Sequence, residues 1–341
     1  LGLATHPQIK NAAKEAIDKY GSGCSGSPLL NGTLDIHKQL ASKLAKNYNK
    51  NDALIFSTGY QTNLGVVSTL VNKDDYNVMD CRNHASLVDG ALLSNANILR
   101  YKHNDLNSLE EILKKYSDKP KLLITDTVFS MEGTIIDLPN IVELAYKYNT
   151  RIMLDESHAV GVFGKTGMGI AEHFGLLNEV DLIMGTFSKS LASVGGFVTG
   201  NKNIIEMLRH KARGHGFSAS LPPSAIATVI AALEIIENEP ERRTKVINNA
   251  CFLANGLRKL GFKINFYGSP IISLFCGHEL ISIAAFNELF KLGVFVNPVT
   301  YPAVPKNEEI LRISLMATHE EYMLKNALDI FEKIKTQNWP E

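Results

Sequence analysis

The chain has 341 residues, of which 45% are hydrophobic and 21% are charged, and its formal net charge is zero. This is the composition of a globular protein that is long enough for one large and one smaller domain. A balanced charge provides no basic surface for nucleic acid or an anionic membrane, so we expect neither as a partner. We also expect no transmembrane segment, because no apolar run is long enough to cross a bilayer.

The four cysteines lie far apart in the sequence and show neither a CxxC pair nor a Cys/His ligand spacing. We therefore predict no metal site. Few, scattered cysteines are typical of a reducing compartment, and we expect a cytoplasmic protein. The chain begins at Leu1 without a methionine, so we expect its natural N-terminus to lie further upstream.

The N-terminal region contains a glycine-rich segment between two predicted helices. Residues 8–20 predict a helix that ends at Gly21, and a polar helix follows near 35–49. The segment between them, "GSGCSG" (21–26), matches GxGxxG, but a dinucleotide fingerprint needs a strand before it. We favour a loop that lines a site, because small residues let a ligand approach the backbone. A nucleotide-binding module is the alternative.

From residue 53 onward, short apolar runs alternate with amphipathic helical stretches. Strands alternating with helices in this way predict an α/β fold, with a mostly parallel seven-stranded sheet flanked by helices. The predicted strands are residues 53–57, 76–80, 97–101, 121–126, 151–156, 181–185 and 195–200.

The pattern changes at "SLPPSA" (220–225), where a long helical region begins and continues to about residue 260. Short strands then mix with helices, which indicates a smaller α+β C-terminal domain. The predicted parts are an N-terminal segment with the glycine-rich loop (1–35), a large domain (36–222) and a small domain (223–341) that includes the long connecting helix.

Two charged residues follow neighbouring predicted strands, Asp155 in "LDESHAVG" and Lys189 in "GTFSKS". Ligands of open α/β sheets bind beyond the carboxyl ends of the strands, so both side chains should reach one crevice. A carboxylate that keeps a pyridine nitrogen protonated and a lysine that forms a Schiff base suit pyridoxal 5'-phosphate. Taken alone, Asp155 could cap a helix and Lys189 could be an exposed surface lysine.

The segment "FSTGYQTN" (56–63) supplies a place for the phosphate. A strand ends there and a helix begins, so free N–H groups and the helix dipole face an anion. Hydroxyls next to Lys189 would take further phosphate oxygens. A strand, turn and helix of this kind is equally common without a ligand. The candidates in this group are Ser57, Thr58, Gly59, Tyr60, Thr186 and Ser188.

Four more residues are candidates because of where they lie. His84 follows a strand and could stack on the cofactor ring, or be an ordinary surface histidine. His158 follows Asp155 by three residues and could equally be a core histidine. Ser130 follows the strand 121–126, within reach of the ring. Arg312 lies in an apolar strand and needs a partner, either a substrate carboxylate or a structural salt bridge.

These segments, taken in order, resemble the α-oxoamine synthase family, which has the fold type I of pyridoxal-phosphate-dependent transferases. The resemblance covers nearly the whole chain, from "GSGCSGSPLLNGTLDIHKQL" through "NHASLVDG", "FSMEG", "LDESHAVG" and "GTFSKSLASVGG" to "LRISLMATH". It implies that Lys189 is the Schiff-base lysine, that Asp155 pairs with the pyridinium nitrogen, and that His158 donates a hydrogen bond to the ring oxygen.

The resemblance also implies roles for residues further from the lysine. His84 would stack on the ring, and Arg312 would bind the carboxylate of the amino acid. Ser218 and Ser220 in "FSAS" look like the family's phosphate contact that is contributed across a dimer interface. We therefore expect a homodimer with shared active sites.

Within the family, "GTLDIH", "MGTFSKSLAS" and "GVFVNPVTYPAVP" are most similar to the serine palmitoyltransferase branch. That likeness implies condensation of a small amino acid, best L-serine, with a long-chain acyl-CoA. Loss of CO2 and CoA would give an aminoketone such as 3-ketodihydrosphingosine. Pro28 stands where relatives commonly carry arginine, and Ser157 and Ala159 depart from the commoner "DEAHS" form. The missing cation favours an apolar acyl chain over one that ends in a carboxylate.

Other activities stay open as alternatives. Within the family they are 8-amino-7-oxononanoate synthase and 2-amino-3-ketobutyrate CoA ligase activity, and more distantly an aminotransferase. A non-catalytic partner subunit is a further alternative, but the presence of Lys189 argues against it.

Overall fold

The computed structural model describes the backbone of residues 1–338 and the side chains of residues 1–335. The chain forms two compact units. The larger consists of residues 3–127 and 136–240, and the smaller of residues 1–2, 128–135 and the chain from residue 241 on. This division groups residues 223–240 with the larger unit, and the functional domain bounds given above stay a prediction.

The larger unit is built on a seven-stranded sheet with the strand order β1-β7-β6-β5-β4-β2-β3. Six strands run in the same direction, and only β7 is antiparallel to its neighbours. The predicted mostly parallel sheet is confirmed, with every strand bound within one residue of its predicted position. The strands are β1 (Asp52–Phe56), β2 (Tyr76–Asp80), β3 (Asn97–Tyr101), β4 (Lys121–Asp126), β5 (Arg151–Asp155), β6 (Leu182–Thr186) and β7 (Gly196–Gly200).

Helices connect these strands and cover the sheet, and α1 ends at Gly21 as predicted. Helix α1 leads directly into the glycine-rich segment 21–26, in the place where a dinucleotide fingerprint requires a strand. The helices of this unit are α1 (Pro7–Tyr20), α2 (Asp35–Asn47), α3 (Gly59–Leu70), α4 (Ala85–Leu93), α5 (Leu106–Lys115), α6 (Leu138–Lys147), α7 (Ile170–His173), the 3-10 helix Leu177–Glu179, α8 (Lys202–Lys211), α9 (Arg213–Gly216) and α10 (Pro223–Asn238).

The core of the larger unit lies between the central strands and the helices. Every residue of β4, β6 and β7 is buried. Strands that are covered on both faces read as continuous apolar runs instead of alternating ones. Phe56, Met184 and Val198 of the sheet pack with Val66 and Leu87 of α3 and α4 in one cluster, which fixes the starts of both helices against the sheet.

The smaller unit contains a four-stranded antiparallel sheet with the order β10-β11-β9-β8. Together with three helices it forms the α+β arrangement that the sequence predicts. None of the helices in the described part of the chain is long and apolar enough to span a membrane. The elements are α11 (Glu241–Lys259), β8 (Ile264–Asn265), β9 (Ile271–Phe275), α12 (Glu279–Lys291), β10 (Asn297–Val299), β11 (Ile310–Ser314) and α13 (Glu321–Asn338).

The register of the large sheet brings several strand ends to one edge. Asp126 at the end of β4 pairs with Asp155 at the end of β5. On the other side, Gly196 of β7 pairs with both Phe56 at the end of β1 and Thr186 at the end of β6. The turns that follow β1, β4, β5 and β6 therefore share one edge of the sheet, where ligands of open α/β sheets bind.

Candidate active site

Asp155 is the last residue of β5, and its side chain is buried and held by two donors. The Ser157 N–H group donates to Oδ1 at 2.9 Å, and the side-chain amide of Asn63 donates to Oδ2 at 2.8 Å. Both oxygens are therefore fixed in orientation. The carboxylate lies at the sheet edge where the sequence predicts it.

Asn63 of α3 connects Asp155 to a second side chain. It is 1% exposed, and its Nδ2 atom also donates to the Ser86 hydroxyl at 2.9 Å. The Ser86 Oγ atom in turn lies 2.7 Å from His84 Nδ1. Two buried polar side chains thus link the carboxylate to the histidine.

His84 precedes α4, and its backbone N–H donates to Asp126 Oδ2 at 2.8 Å. The residue is exposed, while its Nδ1 edge lies against the buried Ser86. Desolvation of this covered edge lowers the pKa of His84 below its usual value. The Asp155 charge opposes this shift and the Lys189 charge adds to it. The imidazole is therefore favoured in its neutral form.

Lys189 lies in the turn between β6 and β7 and is exposed. Its charge lowers the pKa of His84 and also that of Asp126, a carboxyl whose pKa burial raises well above its usual value. The amine is thus close enough to both side chains to act on them electrostatically. Lys189 and the Asp155 network occupy the same sheet edge, as the sequence predicts.

The start of α3 forms a cradle for an anion together with hydroxyls from the turn after β6. The Gln61 N–H donates to Thr58 Oγ1 at 3.0 Å. The N–H groups of Gly59 and Tyr60, by contrast, have no acceptor within the helix. The hydroxyls of Thr186 and Ser188 lie 2.8 Å apart beside Lys189.

Gly59 is what allows the two halves of this cradle to meet. A Cβ atom on Gly59 would lie 2.7 Å from Thr186 Oγ1, which is closer than real side chains approach. Glycine therefore brings the Thr186 hydroxyl next to the free N–H groups of the helix. The donors that result are the kind that bind a phosphate dianion.

The "FSAS" segment lies beside this cradle in the same chain. Ser57 donates its hydroxyl to the Ala219 carbonyl at 2.5 Å, and the Gln61 amide donates to Ser218 Oγ at 3.0 Å. The Ser220 hydroxyl is buried and finds no hydrogen-bond partner among the residues that the structure describes. The predicted contribution of Ser218 and Ser220 to a partner's phosphate stays a prediction.

The glycine-rich loop covers Ser220. The Ser220 backbone N–H donates to the Gly26 carbonyl at 3.0 Å. A Cβ atom on Gly32, shortly after the loop, would lie 2.2 Å from Ser220 Oγ. The residues that follow this loop border a cavity of 790 Å³ along the edge strand β1, which Pro28, Ser57 and Ser220 help to line. Lys189, Asp155 and His84 do not line this cavity, so it adjoins the cradle and not the lysine.

Arg312 and Ser130 belong to the smaller unit and contact each other. The Arg312 Nε atom donates to the Ser130 carbonyl at 2.5 Å, and a terminal nitrogen donates to Ser314 Oγ at 2.6 Å. Burial lowers the pKa of Arg312. No carboxylate lies within 4 Å of this guanidinium in the described part of the chain, so the salt bridge considered above is not formed there.

Four residues of the site were not predicted from the sequence. His158 was predicted, and its hydrogen bond to the ring oxygen stays a prediction. His158 is half-buried in the turn after β5. Asp126 ends β4 just as Asp155 ends β5, so the same rule could have found it. Asn63 and Ser86 carry no such signal, because their contacts depend on how α3 and α4 pack.

Glu156 is the fourth missed residue. It is fully buried and accepts hydrogen bonds from the Thr127 hydroxyl at 2.7 Å and from the N–H groups of Ile170 and Ala171 at 2.9 and 2.8 Å. Burial raises the pKa of Glu156 to about 7 in spite of these donors. It anchors the turn after β5 to the start of α7, next to Asp155.

Comparison with known proteins identifies relatives along the whole chain. The family model of aminotransferase class I and II matches residues 1–331. A serine palmitoyltransferase of Bacteroides thetaiotaomicron is 48% identical over 329 residues, which cover 96% of this chain and 84% of that protein. A putative 8-amino-7-oxononanoate synthase 2 of Mycobacterium tuberculosis is 44% identical over 341 residues. This alignment covers the whole of this chain but only 44% of the length of the mycobacterial relative.

Among solved structures, a serine palmitoyltransferase from S. paucimobilis with bound PLP-myriocin aldimine superposes with a TM-score of 0.95. The two are 35% identical, and the match covers 98% of this chain and 85% of that one. The donor set described above fits the same cofactor, since it combines an anion cradle, a fixed carboxylate and a lysine at one sheet edge. The chain therefore belongs to the aminotransferase class I and II family and, within it, to the α-oxoamine synthases with the pyridoxal-phosphate fold type I.

Proposed function

We propose that this chain is a pyridoxal-phosphate-dependent acyltransferase that condenses L-serine with a long-chain acyl-CoA. The products would be CO2, free CoA and an aminoketone such as 3-ketodihydrosphingosine. The observation that carries the proposal is the fixed Asp155 carboxylate at the same sheet edge as Lys189 and the anion cradle. Serine palmitoyltransferase relatives at up to 48% identity support the same reaction.

The cofactor's parts each have a matching group in the larger unit. Its phosphate would lie on the Gly59 and Tyr60 N–H groups, with hydroxyl contacts from nearby residues. Asp155 would keep the ring nitrogen protonated, His158 would donate to the ring oxygen, and His84 would cover one ring face. The proposed hydroxyl and backbone contacts come from Ser57, Thr58, Thr186 and Ser188, and from Ser218 and Ser220 of a second copy of the chain. Ser130, which belongs to the smaller unit, is a further proposed contact.

When bound, pyridoxal phosphate supplies an electron-accepting ring that stabilises negative charge on the Cα atom of the amino acid. Lys189 would hold the cofactor covalently until the amino acid displaces its amine. The freed amine would then take the Cα proton. The exposure of Lys189 and its position next to the Thr186 and Ser188 hydroxyls support both tasks.

Arg312 would bind the amino-acid carboxylate. Among the described residues its guanidinium is held by neutral oxygens only, so its charge is available for an anion. Arginine presents paired donors that match a carboxylate.

Between heavy atoms, the condensation makes one bond and breaks two. The Cα atom forms a bond to the thioester carbon, and the carbon–sulfur bond breaks so that the thiolate of CoA leaves. The bond from Cα to the carboxylate then breaks and releases CO2. A proton returns to Cα to complete the aminoketone, and Lys189 is the group proposed to deliver it.

The second candidate function is 8-amino-7-oxononanoate synthase activity. The mycobacterial relative with that name favours it, and it would use an acyl donor that ends in a carboxylate. The proline at position 28 favours an apolar donor instead, since it carries no charge where relatives commonly have an arginine. 2-Amino-3-ketobutyrate ligase and aminotransferase activities are more distant candidates.

A cytoplasmic homodimer with shared active sites completes the proposal. The four cysteines are all free thiols, which supports a reducing compartment. Ser218 and Ala219 of the "FSAS" segment are partly or fully exposed, as is Tyr60 of the cradle, so a second copy could reach them.

The first experiment measures whether Lys189 carries the cofactor and the reaction. Purified wild-type chain, Lys189→Ala and the control Lys202→Ala, an exposed lysine at the start of α8, are incubated with pyridoxal phosphate and borohydride. We expect label in the peptide that contains Lys189 on the wild-type and control chains, and no label in the corresponding peptide of Lys189→Ala. A fully active Lys189→Ala enzyme would contradict the proposal.

The second experiment identifies the substrates. Serine, alanine and glycine are each combined with palmitoyl-CoA, pimeloyl-CoA and acetyl-CoA, and thiol and CO2 release are followed together. We expect the highest kcat/KM with serine and palmitoyl-CoA. A preference for pimeloyl-CoA and alanine would replace the first candidate by the second, and amino-group transfer without thiol release would indicate an aminotransferase.

A further inference from the structure

We propose that Asn63 and Ser86 are positioning residues that hold His84 as the neutral tautomer with its proton on Nε2 while they orient the Asp155 carboxylate. Neither residue is assigned a part in the reaction above. The proposal rests on the proposed cofactor site, because it concerns the charge that the cofactor would meet there.

The amide orientation of Asn63 is fixed by its two neighbours. Its Nδ2 atom lies 2.8 Å from Asp155 Oδ2 and 2.9 Å from Ser86 Oγ, so each hydrogen of the amide has one acceptor. The opposite orientation would place the amide oxygen 2.8 Å from a carboxylate oxygen, with no proton between them. Ser86 Oγ therefore accepts from Asn63.

The single hydroxyl hydrogen of Ser86 then points to His84. The Nδ1 atom of that ring lies 2.7 Å from Ser86 Oγ and 3.3 Å from the Ser86 backbone nitrogen. Two donors converge on one ring nitrogen, so Nδ1 acts as an acceptor and carries no proton. In a neutral ring the proton is consequently on Nε2.

Protonating Nδ1 would break this arrangement. Its hydrogen would face the Ser86 N–H, and the Ser86 hydroxyl would have to accept from both His84 and Asn63. The hydroxyl hydrogen would then lack an acceptor at a residue that is 1% exposed. A buried donor without a partner is destabilising, because its lost hydrogen bond to water is not replaced.

The charges around His84 act in both directions. Asp155 and Asp89 favour the imidazolium, whereas burial and the Lys189 amine disfavour it. Asp126 accepts the backbone N–H of His84 and lies in register with Asp155. The hydrogen bonds through Ser86 thus add to burial and Lys189 against two carboxylates that would otherwise favour the imidazolium.

A neutral His84 matters because of Asp155. An imidazolium here would be a second cation that competes with the pyridinium nitrogen for the same carboxylate. With Nδ1 occupied by hydrogen-bond donors, the Asp155 charge is left for the cofactor, and the exposed face of the imidazole can still cover the ring.

The test reads the His84 ring nitrogens directly by 15N NMR on the full chain, both loaded with pyridoxal phosphate and after its removal. His84→Asn assigns the signals. We expect the neutral Nε2–H tautomer in the wild-type chain near neutral pH. Nitrogen shifts typical of the Nδ1–H tautomer or of the imidazolium would overturn the proposal, whether or not the chain binds cofactor.

Variants then separate positioning from general destabilisation. In Ser86→Ala we expect at least a threefold rise in the combined population of Nδ1–H and imidazolium forms, and in Ser86→Thr, which keeps the hydroxyl, a return towards the wild-type spectrum. In Asn63→Ala we expect a shifted pH profile of the bound cofactor's absorbance. Unchanged ring shifts in Ser86→Ala, or an unchanged profile in Asn63→Ala, would overturn the corresponding role.

Asn77→Ala is the matched control. Asn77 of β2 is fully buried and donates to the Ser94 hydroxyl at 3.3 Å, so it is an asparagine–serine pair of the same kind away from Asp155. We expect it to destabilise the chain without moving the His84 shifts. A chain that takes up no cofactor would contradict the proposed function, while the tautomer of the cofactor-free chain would still decide this proposal.

Discussion

The charge of Asp155 can be removed without changing the size of its side chain. In Asp155→Asn the side chain keeps its size but loses its charge, and its NH2 group must face either the Asn63 amide or the Ser157 N–H. We expect kcat to fall by roughly 10²-fold or more, the size of loss that removing one stabilising group at a reacting centre causes. Thiol release with serine and an acyl-CoA measures it.

The control for this variant is Asp52→Asn at the start of β1. Asp52 pairs with Arg209 at 2.9 Å, outside the Asp155 network. We expect this variant to retain turnover within about twofold, since the pair is still partly exposed to solvent and lies away from the Asp155 network. An Asp155→Asn enzyme with the turnover of Asp52→Asn would remove Asp155 from the proposed mechanism.

Residues at strand ends could be predicted, and residues that meet through helix packing could not. Asp155 and Lys189 each follow an apolar run, and parallel strands bring their carboxyl ends to one edge. Asn63 reaches Asp155 only because α3 packs on the sheet, 92 positions away in sequence. Arg312 was expected to need an anion, but a backbone carbonyl 182 residues earlier holds its Nε atom.

The strands could be predicted because each is a short, mostly apolar run between helical stretches. The direction of β7 was not specified. Only nine residues, 187–195, separate β6 from β7, which is too short for the crossover that a parallel neighbour needs. The position of β1 as the outermost strand, next to β7, depends on long-range pairing that no local pattern encodes.

The start of α3 offers a test of the cradle as an element. In Gly59→Ala the added Cβ would lie 2.7 Å from Thr186 Oγ1 and push the hydroxyl away from the helix start. We expect weaker cofactor affinity, by roughly tenfold if one hydrogen bond to a charged group, about 1.5 kcal/mol, is lost. Absorbance titration of the cofactor-free chain with pyridoxal phosphate measures the affinity.

Gly65→Ala in the same helix is the matched control. Its Cβ would meet the Phe56 ring at 2.9 Å, so it is crowded to a similar degree but faces the core instead of the cradle. We expect comparable destabilisation from overpacking, about 1–3 kcal/mol, and unchanged cofactor affinity. Equal losses of affinity in both variants would mean that the effect comes from a damaged fold.

For the molecule as a whole, Glu156 predicts how stability changes with pH. Burial raises its pKa from 4.5 in the unfolded chain to about 7 in the folded one. The folded state therefore holds a proton that the unfolded state has lost, and the contribution of Glu156 to stability is present below pH 4.5 and lost as the pH rises to 7. The free energy of unfolding should fall by about 1.4 kcal/mol per pH unit in this window because of this group.

The variant Glu156→Gln removes that titration. Urea unfolding of both chains at half-unit steps from pH 4 to 8 gives the difference in their free energies of unfolding. We expect this difference to change by roughly 3 kcal/mol between pH 4.5 and 7, and to stay level on either side. A difference that is constant through the window would mean that Glu156 has the same pKa in both states.

In the proposed homodimer, Ser218 and Ser220 contact the phosphate of the cofactor that the partner subunit holds. Within one chain the same segment contacts Ser57 and Gln61 at its own cradle, so own-chain and partner contributions give opposite results in a mixing experiment. Lys189→Ala is mixed with the double variant Ser218→Ala, Ser220→Ala, and subunits are allowed to exchange.

If the serines act across the interface, each mixed dimer has one site in which both the lysine and the serines are intact. Half the dimers are mixed and half their sites are complete, so activity should return to about a quarter of the wild-type value. If the serines act within their own chain, no site combines a wild-type lysine with wild-type serines, and mixing restores nothing beyond the activity of the separate variants.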